Sequence, residues 1–310
     1  MSSSQPTAAR STASASATSA KTGALAAALC YFLWGLVPLY WKQLGGISAV
    51  ELIAHRCVWS LLFVLVLVRA QGGFKAVVKA LSTRRSVVIN LGSSILLTTN
   101  WLGYVWGVNH GLVVECSLGY FLVPLVNVAA GRFVLHENLR RAQWAAIACA
   151  AVGVGVMIAQ LGRPPWLALF LAITWGGYGL MRKQSPLGSL TGLTVETLLL
   201  TPLAIAFLLW QNHTGEGALG RVDLPTHLLL LSAGVITATP LLLFAYGAQR
   251  IRMATMGLLQ FIAPTVQLLI AVWVYHEPFA RSRAFGFVFI WAGLVLYAAD
   301  NLMAYRRTSS

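Results

Sequence analysis

The sequence predicts an all-α polytopic membrane protein, with ten transmembrane helices arranged as two inverted-topology five-helix repeats. Three observations lead to this fold class: the composition, ten successive apolar segments, and a second half that repeats the first. Of the 310 residues, 58% are hydrophobic and 10% are charged, against roughly 25% charged in soluble domains. This composition excludes an ordinary soluble enzyme, a disordered protein and a secreted disulfide scaffold.

The apolar segments are each about 17–23 residues long, enough for a helix to cross roughly 30 Å of hydrocarbon. They span 23–41, 50–68, 86–108, 113–135, 142–160, 166–182, 191–210, 227–248, 254–275 and 284–303. The Ser-, Ala- and Thr-rich residues 1–22 predict a disordered cytoplasmic tail, and residues 304–310 predict a second cytoplasmic tail.

The second segment carries charge into the bilayer. Its uninterrupted apolar run, Val58 to Val68, is too short to span, so the preceding stretch with Glu51, His55 and Arg56 is expected to lie largely within the membrane.

The basic residues give the orientation. With a cytoplasmic N-terminus, 16 basic residues fall in inside loops and tails and 5 fall in outside loops, which leaves Arg56 within the second segment. Because cytoplasmic loops carry an excess of Lys and Arg, both termini are predicted to be cytoplasmic. The net charge of +14 therefore reflects membrane orientation, and no nucleic-acid partner is predicted.

An internal repeat relates the two halves. Residues 100–160 align without gaps on 240–300, at a constant offset of 140. The matched pairs include Trp106–Gly107 with Tyr246–Gly247, Pro124 with Pro264, His136–Glu137 with His276–Glu277, and Gly153 with Gly293. Near the start of each half, Trp34 matches Trp175 at an offset of 141.

The predicted repeats cover residues 23–160 and 166–303. Each holds five spans, and because five is odd the second half must enter the membrane from the opposite side. Inverted repeats of this kind are typical of transporters, whose substrate site lies near the midplane between the halves.

Five stretches of this sequence resemble one known family. They are YFLWGLVPLYWK (31–42), HRCVWS (55–60), NWLGYVWGVN (100–109), ECSLGYFLVPLVN (115–127) and FIAPTVQ (261–267). They are similar to the RarD permease group of the EamA family, in the drug/metabolite transporter superfamily, over about residues 22–305. The resemblance implies ten helices in two repeats and a bacterial inner-membrane location. Members of that group are commonly labelled chloramphenicol-sensitive permeases.

Two polar stripes at repeat-related positions predict a central substrate cavity. Each stripe lies on one face of a helix and flanks a proline, which frees a backbone carbonyl toward protein or a water-filled cavity. The stripes are Tyr120, Pro124 and Asn127, and Gln260, Pro264 and Gln267. The alternative is that these side chains only join neighbouring helices.

A second candidate cluster surrounds Arg56. A membrane-embedded arginine is costly, so Arg56 is expected to face the bundle interior, with Glu115 as a candidate counter-ion. His55 follows Glu51 by four residues on the same helix face, a spacing that suits a proton-sensitive pair. The alternative is that Arg56 snorkels to the outer headgroups.

Aromatic side chains complete the candidate site. Asn100 and Tyr104 share one helix face, and Trp175 and Tyr178 lie near the start of the second half, where a flat or apolar substrate could stack against the rings. For each ring, packing or interfacial anchoring is the alternative.

The predicted function is a secondary permease that moves a small organic solute, such as a metabolite, an amino acid or an amphenicol-like drug, by alternating access of the two repeats. An uncoupled facilitator or exchanger and an intramembrane enzyme acting on lipid are the alternatives. The expectation is of a non-enzyme, without cofactor or metal. The small-molecule substrate and the lipid bilayer are its expected partners, with a coupling proton and a homodimer left open.

Overall fold

The computed structural model describes residues 6–276 and 281–309, and within these ranges it contains helices and no β-strand. The outermost residues of both predicted tails, and Glu277, lie outside the described residues. The helices are α1 (Pro6–Trp41), α2 (Ala49–Ala70), α3 (Phe74–Ser82), α4 (Arg84–Asn109), α5 (Val113–Ala129), α6 (Arg141–Ala159), α7 (Trp166–Gln184), α8 (Ser189–Thr214), α9 (Leu224–Ala248), α10 (Met253–Gln260), α11 (Ile262–Trp273) and α12 (Arg281–Ser309). A 3₁₀ turn (Lys42–Leu44) follows α1, and a π-helical turn (Ala130–Val134) follows α5.

Seven helical segments of this described part are long and apolar enough to cross a membrane. They are Thr18–Leu44, Ala49–Ala70, Val113–Val134, Arg141–Ala159, Ser189–Thr214, Leu224–Ala248 and Met253–Trp273. A shorter apolar stretch, Phe285–Asp300, lies within α12. The chain is therefore a polytopic α-helical membrane protein, which confirms that part of the predicted class; the ten spans and the inverted repeats stay predictions.

In the N-terminal half, two regions differ from the sequence-based prediction. Helix α1 begins at Pro6, so residues 6–22 are helical where composition predicted a disordered tail. Alanine has the highest helix propensity, and no glycine interrupts the chain before Gly23. The short helix α3 was not predicted at all. It is amphipathic: Val77 and Ala80 are buried in a cluster with Val195 of α8.

Proline shapes the break between α10 and α11. Pro264 lacks the N–H that would bond to the carbonyl of Gln260, four residues earlier, and α10 ends at Gln260. Its repeat partner, Pro124, lies inside α5. The two prolines thus leave the backbone carbonyls of Tyr120 in α5 and Gln260 in α10 without the N–H donor four residues later.

Carboxylates cap the start of two helices. Glu137 accepts hydrogen bonds from the backbone N–H groups of Met253 (2.8 Å) and Ala254 (3.3 Å), at the start of α10. Asp223 accepts one from the N–H of Thr226 (3.2 Å) at the start of α9, and this bond lowers the pKa of the Asp223 carboxyl. Because the folded pKa is depressed, the stabilisation by this cap is present above the usual aspartate pKa and is lost as the pH falls through the lowered value.

Close helix contacts are made at glycines. The two helices α6 and α12 pack along each other, and a Cβ on Gly153 of α6 would lie 2.6 Å from the backbone oxygen of Gly286 in α12. A Cβ on Gly155, one face further round the same helix, would meet nothing within 4 Å. Small residues at such positions let helix backbones approach in a membrane.

We expect Gly153→Ala to lower the stability of the purified protein by about 1–3 kcal/mol, because the added methyl group is forced against the α12 backbone. Gly155→Ala is the matched control and should leave the melting temperature in detergent unchanged or slightly raised, since alanine is the better helix former. Equal melting temperatures for the two variants would contradict the α6–α12 packing.

Candidate functional site

Two of the predicted polar side chains meet at the centre of the bundle. The Nδ2 of Asn127 on α5 donates to Oε1 of Gln260 on α10, at 3.4 Å. The Tyr31 hydroxyl on α1 donates to the same oxygen, also at 3.4 Å. All three residues are buried. The structure thus brings together one member of each predicted stripe and adds Tyr31, which sequence reasoning did not single out.

An aromatic cluster lies beside these amides. The rings of Trp34 on α1 and Trp175 on α7 meet edge to face, with centroids 5.1 Å apart. Tyr178 stacks on Phe244 of α9 at 5.6 Å, and both rings also contact Trp175. Trp34 and Trp175 occupy repeat-related positions, so the two halves each contribute one indole to this central contact.

Two polar atoms of the central cluster have no hydrogen-bond partner among the described residues. They are Oδ1 of Asn127, an acceptor, and Nε1 of Trp175, a donor, and both are buried. A Cβ on Gly176 would lie 3.4 Å from Asn127 Oδ1, which puts this oxygen against α7 next to Trp175. An unmade buried hydrogen bond costs about 1–3 kcal/mol, so a ligand that supplies both partners would recover that free energy.

The remaining stripe residues have other neighbours. Asn100 on α4 donates through Nδ2 to the Leu171 backbone oxygen and to the Thr174 hydroxyl, both at 2.9 Å, which fixes α4 to α7. Tyr120 donates to Asn100 Oδ1 at 3.4 Å, and its ring lies 5.8 Å from that of Tyr104.

Gln267 lies away from the amide pair. Its side chain is exposed, and its Nε2 donates to the Trp34 backbone oxygen at 3.3 Å. The two stripes are therefore not equivalent in this structure: Asn127 is buried at the centre, whereas the repeat-related Gln267 is not.

Arg56 faces the bundle interior, as expected from its cost in a membrane. Its Nε donates to the Thr237 hydroxyl on α9 at 2.9 Å. Its guanidinium lies over the Trp101 ring of α4, 4.1 Å from the centroid, and 5.0 Å from the Trp41 ring of α1. Helices α1, α2, α4 and α9 thus all contribute to this second site.

The expected pairing of Arg56 with Glu115 is wrong. Glu115 instead forms an ion pair with Arg163, at 2.6 Å between Oε1 and Nη2, in the linker that follows α6. Glu115 lies in the first turn of α5, and Arg163 lies in the linker after α6. The exposed Arg163 therefore reaches Glu115 more easily than the interior Arg56 does.

The predicted face shared by Glu51 and His55 is present. Nε2 of His55 lies 3.8 Å from Oε1 of Glu51, and both side chains are buried. Glu51 also accepts a hydrogen bond from the Ala218 N–H at 2.6 Å, which ties α2 to the loop before α9. His55 Nδ1 accepts from Trp59 Nε1 at 3.2 Å.

A buried ion pair was missed by the sequence reasoning. Arg182 in the last turn of α7 is fully buried, and its Nη1 lies 3.2 Å from Oε1 of Glu196 on α8. Ser93 of α4 donates to the same carboxylate oxygen at 2.5 Å, and Tyr178 donates to Oε2 at 3.4 Å. Arg182 also donates to Oδ1 of Asn90 at 3.3 Å.

The sequence held one signal for this pair. Gly192 lies one turn before Glu196 on α8. The Arg182 guanidinium occupies the space that a side chain at this position would fill. Arg182 is the last residue of the predicted segment 166–182 and is one of the 16 basic residues that the sequence predicts to lie on the cytoplasmic side. Burial depends on the facing helix, which local sequence does not reveal.

The architecture and the site together indicate the class of protein. Apolar membrane helices that enclose buried amide, aromatic and charged side chains are typical of membrane transport proteins.

The comparisons with known proteins agree with that class. The model of the EamA-like transporter family matches residues 21–159 and again residues 164–299. "Uncharacterized transporter YojE" of Bacillus subtilis is 42% identical over 293 residues, which cover 94% of this chain and 98% of the relative. "Protein RarD" of Escherichia coli is 36% identical, covering 93% and 98%. A solved structure described as "Crystal structure of protein" superposes with a TM-score of 0.69 at 19% identity, covering 88% of this chain and 96% of that chain, and shows the fold alone.

The chain belongs to the EamA-like transporter family, in the RarD group of the drug/metabolite transporter superfamily. It is a transmembrane transporter, which confirms the predicted family and the coarse function.

Proposed function

We propose that the chain is a secondary permease of the bacterial inner membrane, with ten spans and both termini cytoplasmic. It moves a small organic solute by alternating access of two inverted five-helix repeats. The observation that carries this proposal is the central cluster, where repeat-related Trp34 and Trp175 meet beside Asn127 and Gln260. Its unpartnered donor and acceptor supply recognition, and its rings supply a surface for stacking.

Two features of the backbone support a shared architecture for the halves. His136 and His276 are one repeat offset apart, and both adopt left-handed backbone conformations, with φ of 54° and 53°. Non-glycine residues rarely adopt positive φ, so coincidence is a poor explanation for this match. The helix packing follows the same relation. Helix α5 contacts α7, and the counterparts of α5, which are α10 and α11, contact α1, the counterpart of α7.

One pair of contacts breaks the symmetry. Helix α2 packs extensively along α9, whereas the counterpart contact, between α8 and α4, is less extensive. Ser60 of α2 donates to the backbone oxygen of Gly234 on α9 at 3.2 Å, within the extensive contact. In alternating access, α2 and α9 separate while α4 and α8 come together, so that the α4–α8 contact becomes the more extensive of the two.

Flux measurements on the full chain in proteoliposomes test the proposal. We expect saturable uptake or efflux for at least one solute in a panel of amino acids, metabolites and amphenicols. Trp175→Ala should lower that flux roughly tenfold, because it removes the central indole and its stacking surface. The change Trp166→Ala, at an exposed position on the same helix, should leave the flux unchanged. Product formation without flux would support an enzyme instead, and a Trp175→Ala variant with full flux would contradict the central site.

A reporter fused to the C-terminus tests the topology. We expect a cytoplasmic signal, because the excess of basic residues in alternate loops orients both termini inward. A fusion in the loop before α9, around Glu216, is the matched control and should give a periplasmic signal. The reverse pattern would overturn the proposed orientation.

A further inference from the structure

Arg56 is a half-buried cation that has no carboxylate partner within residues 6–276 and 281–309. Its guanidinium contacts a hydroxyl, Thr237, and two indole rings, Trp41 and Trp101, and no acidic side chain of the described residues lies within 4 Å of it. Of its five N–H donors, only that on Nε makes a hydrogen bond within the part of the chain that the structure describes. An ionised group in a low-dielectric interior is stable only when paired or well hydrogen-bonded.

The acidic side chains of the described residues are engaged elsewhere or exposed. The engaged ones are Glu51 with Ala218, Glu115 with Arg163, Glu137 with Met253 and Ala254, Glu196 with Arg182, Asp223 with Thr226, and Asp300 with Arg140. Glu216 is exposed in the loop between α8 and α9. Among the residues that the structure describes, the interior Arg182 is thus paired with a carboxylate and Arg56 is not.

We propose that Arg56 binds the carboxylate of the transported solute, which makes small organic carboxylates the substrate class. The inference rests on the transport function proposed above. A guanidinium presents two parallel N–H groups that match a carboxylate in bidentate geometry, and the Arg56 edge away from Thr237 keeps such donors free. A solute carboxylate supplies the missing negative charge, whereas a neutral amphenicol does not and a cationic solute is repelled.

The surroundings favour a single negative charge on an apolar or flat body. The other groups near the guanidinium are uncharged: the Thr237, Tyr120 and Tyr40 hydroxyls, the Cys57 thiol, and the Trp41 and Trp101 rings. One positive charge balances one carboxylate, and a phosphate dianion would remain partly unpaired. The indoles pack against the body of the solute.

The position of Arg56 links binding to the conformational change. Arg56 is on α2, and its hydroxyl partner Thr237 is on α9, so the Nε–Oγ1 hydrogen bond crosses the contact that must open in alternating access. A carboxylate bound to the guanidinium therefore lies at the moving contact, where its arrival or departure changes the energy of closure.

Binding to the purified full chain tests the inference with matched probes. The probes are acetate, pyruvate, 3-phenylpropanoate and indole-3-acetate, each beside its neutral amide, measured by isothermal titration. We expect at least one carboxylate to bind roughly 10- to 100-fold more tightly than its amide, the range that charge-assisted hydrogen bonds provide. Arg56→Gln should remove that preference, and Arg56→Lys should retain part of it. Arg163→Gln, which removes an exposed guanidinium outside this site, should keep the preference in full.

The outcomes separate the substrate class from the transport function. Equal binding of carboxylates and amides, no binding of any carboxylate, or an unchanged preference in Arg56→Gln overturns the inference. If Arg56→Gln does not fold, the carboxylate–amide comparison on the unaltered chain decides alone. Carboxylate binding that depends on Arg56, without flux of any solute in proteoliposomes, would sink the permease proposal and leave the binding site standing.

Discussion

Replacing Arg182 with leucine should lower the free energy of unfolding by roughly 3–5 kcal/mol, because Glu196 then remains buried without a counter-charge. Among the described residues, the carboxylate then keeps the Ser93 and Tyr178 hydroxyls as partners, at 2.5 and 3.4 Å. Thermal melting of the purified protein in detergent measures the loss. Glu216→Gln, which removes an exposed carboxylate, is the control and should leave the melting temperature unchanged.

The double variant Arg182→Leu/Glu196→Leu makes this expectation specific to the ion pair. Replacing both charges with apolar groups removes the desolvation cost together with the attraction, so the double variant should be more stable than Arg182→Leu alone. Losses that simply add, or a neutral single variant, would show that the pair contributes nothing to folding.

Gly234→Leu should abolish flux and destabilise the protein by at least about 1–3 kcal/mol, the usual cost of overpacking. A Cβ at this position would overlap the backbone carbonyl of Trp59 on α2, and a backbone cannot rotate away as a side chain can. Helix α2 must therefore move off α9, which breaks the hydrogen bonds from Ser60 and Arg56 across this contact.

Gly155→Leu is the matched control, since a Cβ there meets nothing within 4 Å. Flux in proteoliposomes and melting in detergent distinguish the two variants. Normal flux in Gly234→Leu would mean that the α2–α9 contact is not required in any state of the cycle.

Local sequence accounts for the membrane helices and for part of the site. Hydrophobic length is enough to locate apolar helices, and the repeat offset is enough to single out Asn127, Gln260, Trp34 and Trp175. Local sequence does not indicate which of two repeat-related side chains is buried. Gln267 is the partner of Asn127 by sequence, yet it is exposed, because the break at Phe261 separates α10 from α11.

The missed contacts join side chains on different helices or loops. Glu115 pairs with Arg163, and Ser93 of α4 meets Glu196 of α8. Such pairs depend on which helices are neighbours, and hydrophobic periodicity carries no information on that. The short helix α3 was missed for another reason: its nine residues are too few to register as an apolar segment.

The left-handed histidines bear on the history of this chain. His136 and His276 each keep a backbone angle that glycine adopts at lower cost, and the same family model matches the half around each of them. Most side chains differ between the two halves, whereas this turn has the same residue and nearly the same φ in both. The backbone of this turn thus relates the two halves even where their side chains no longer agree.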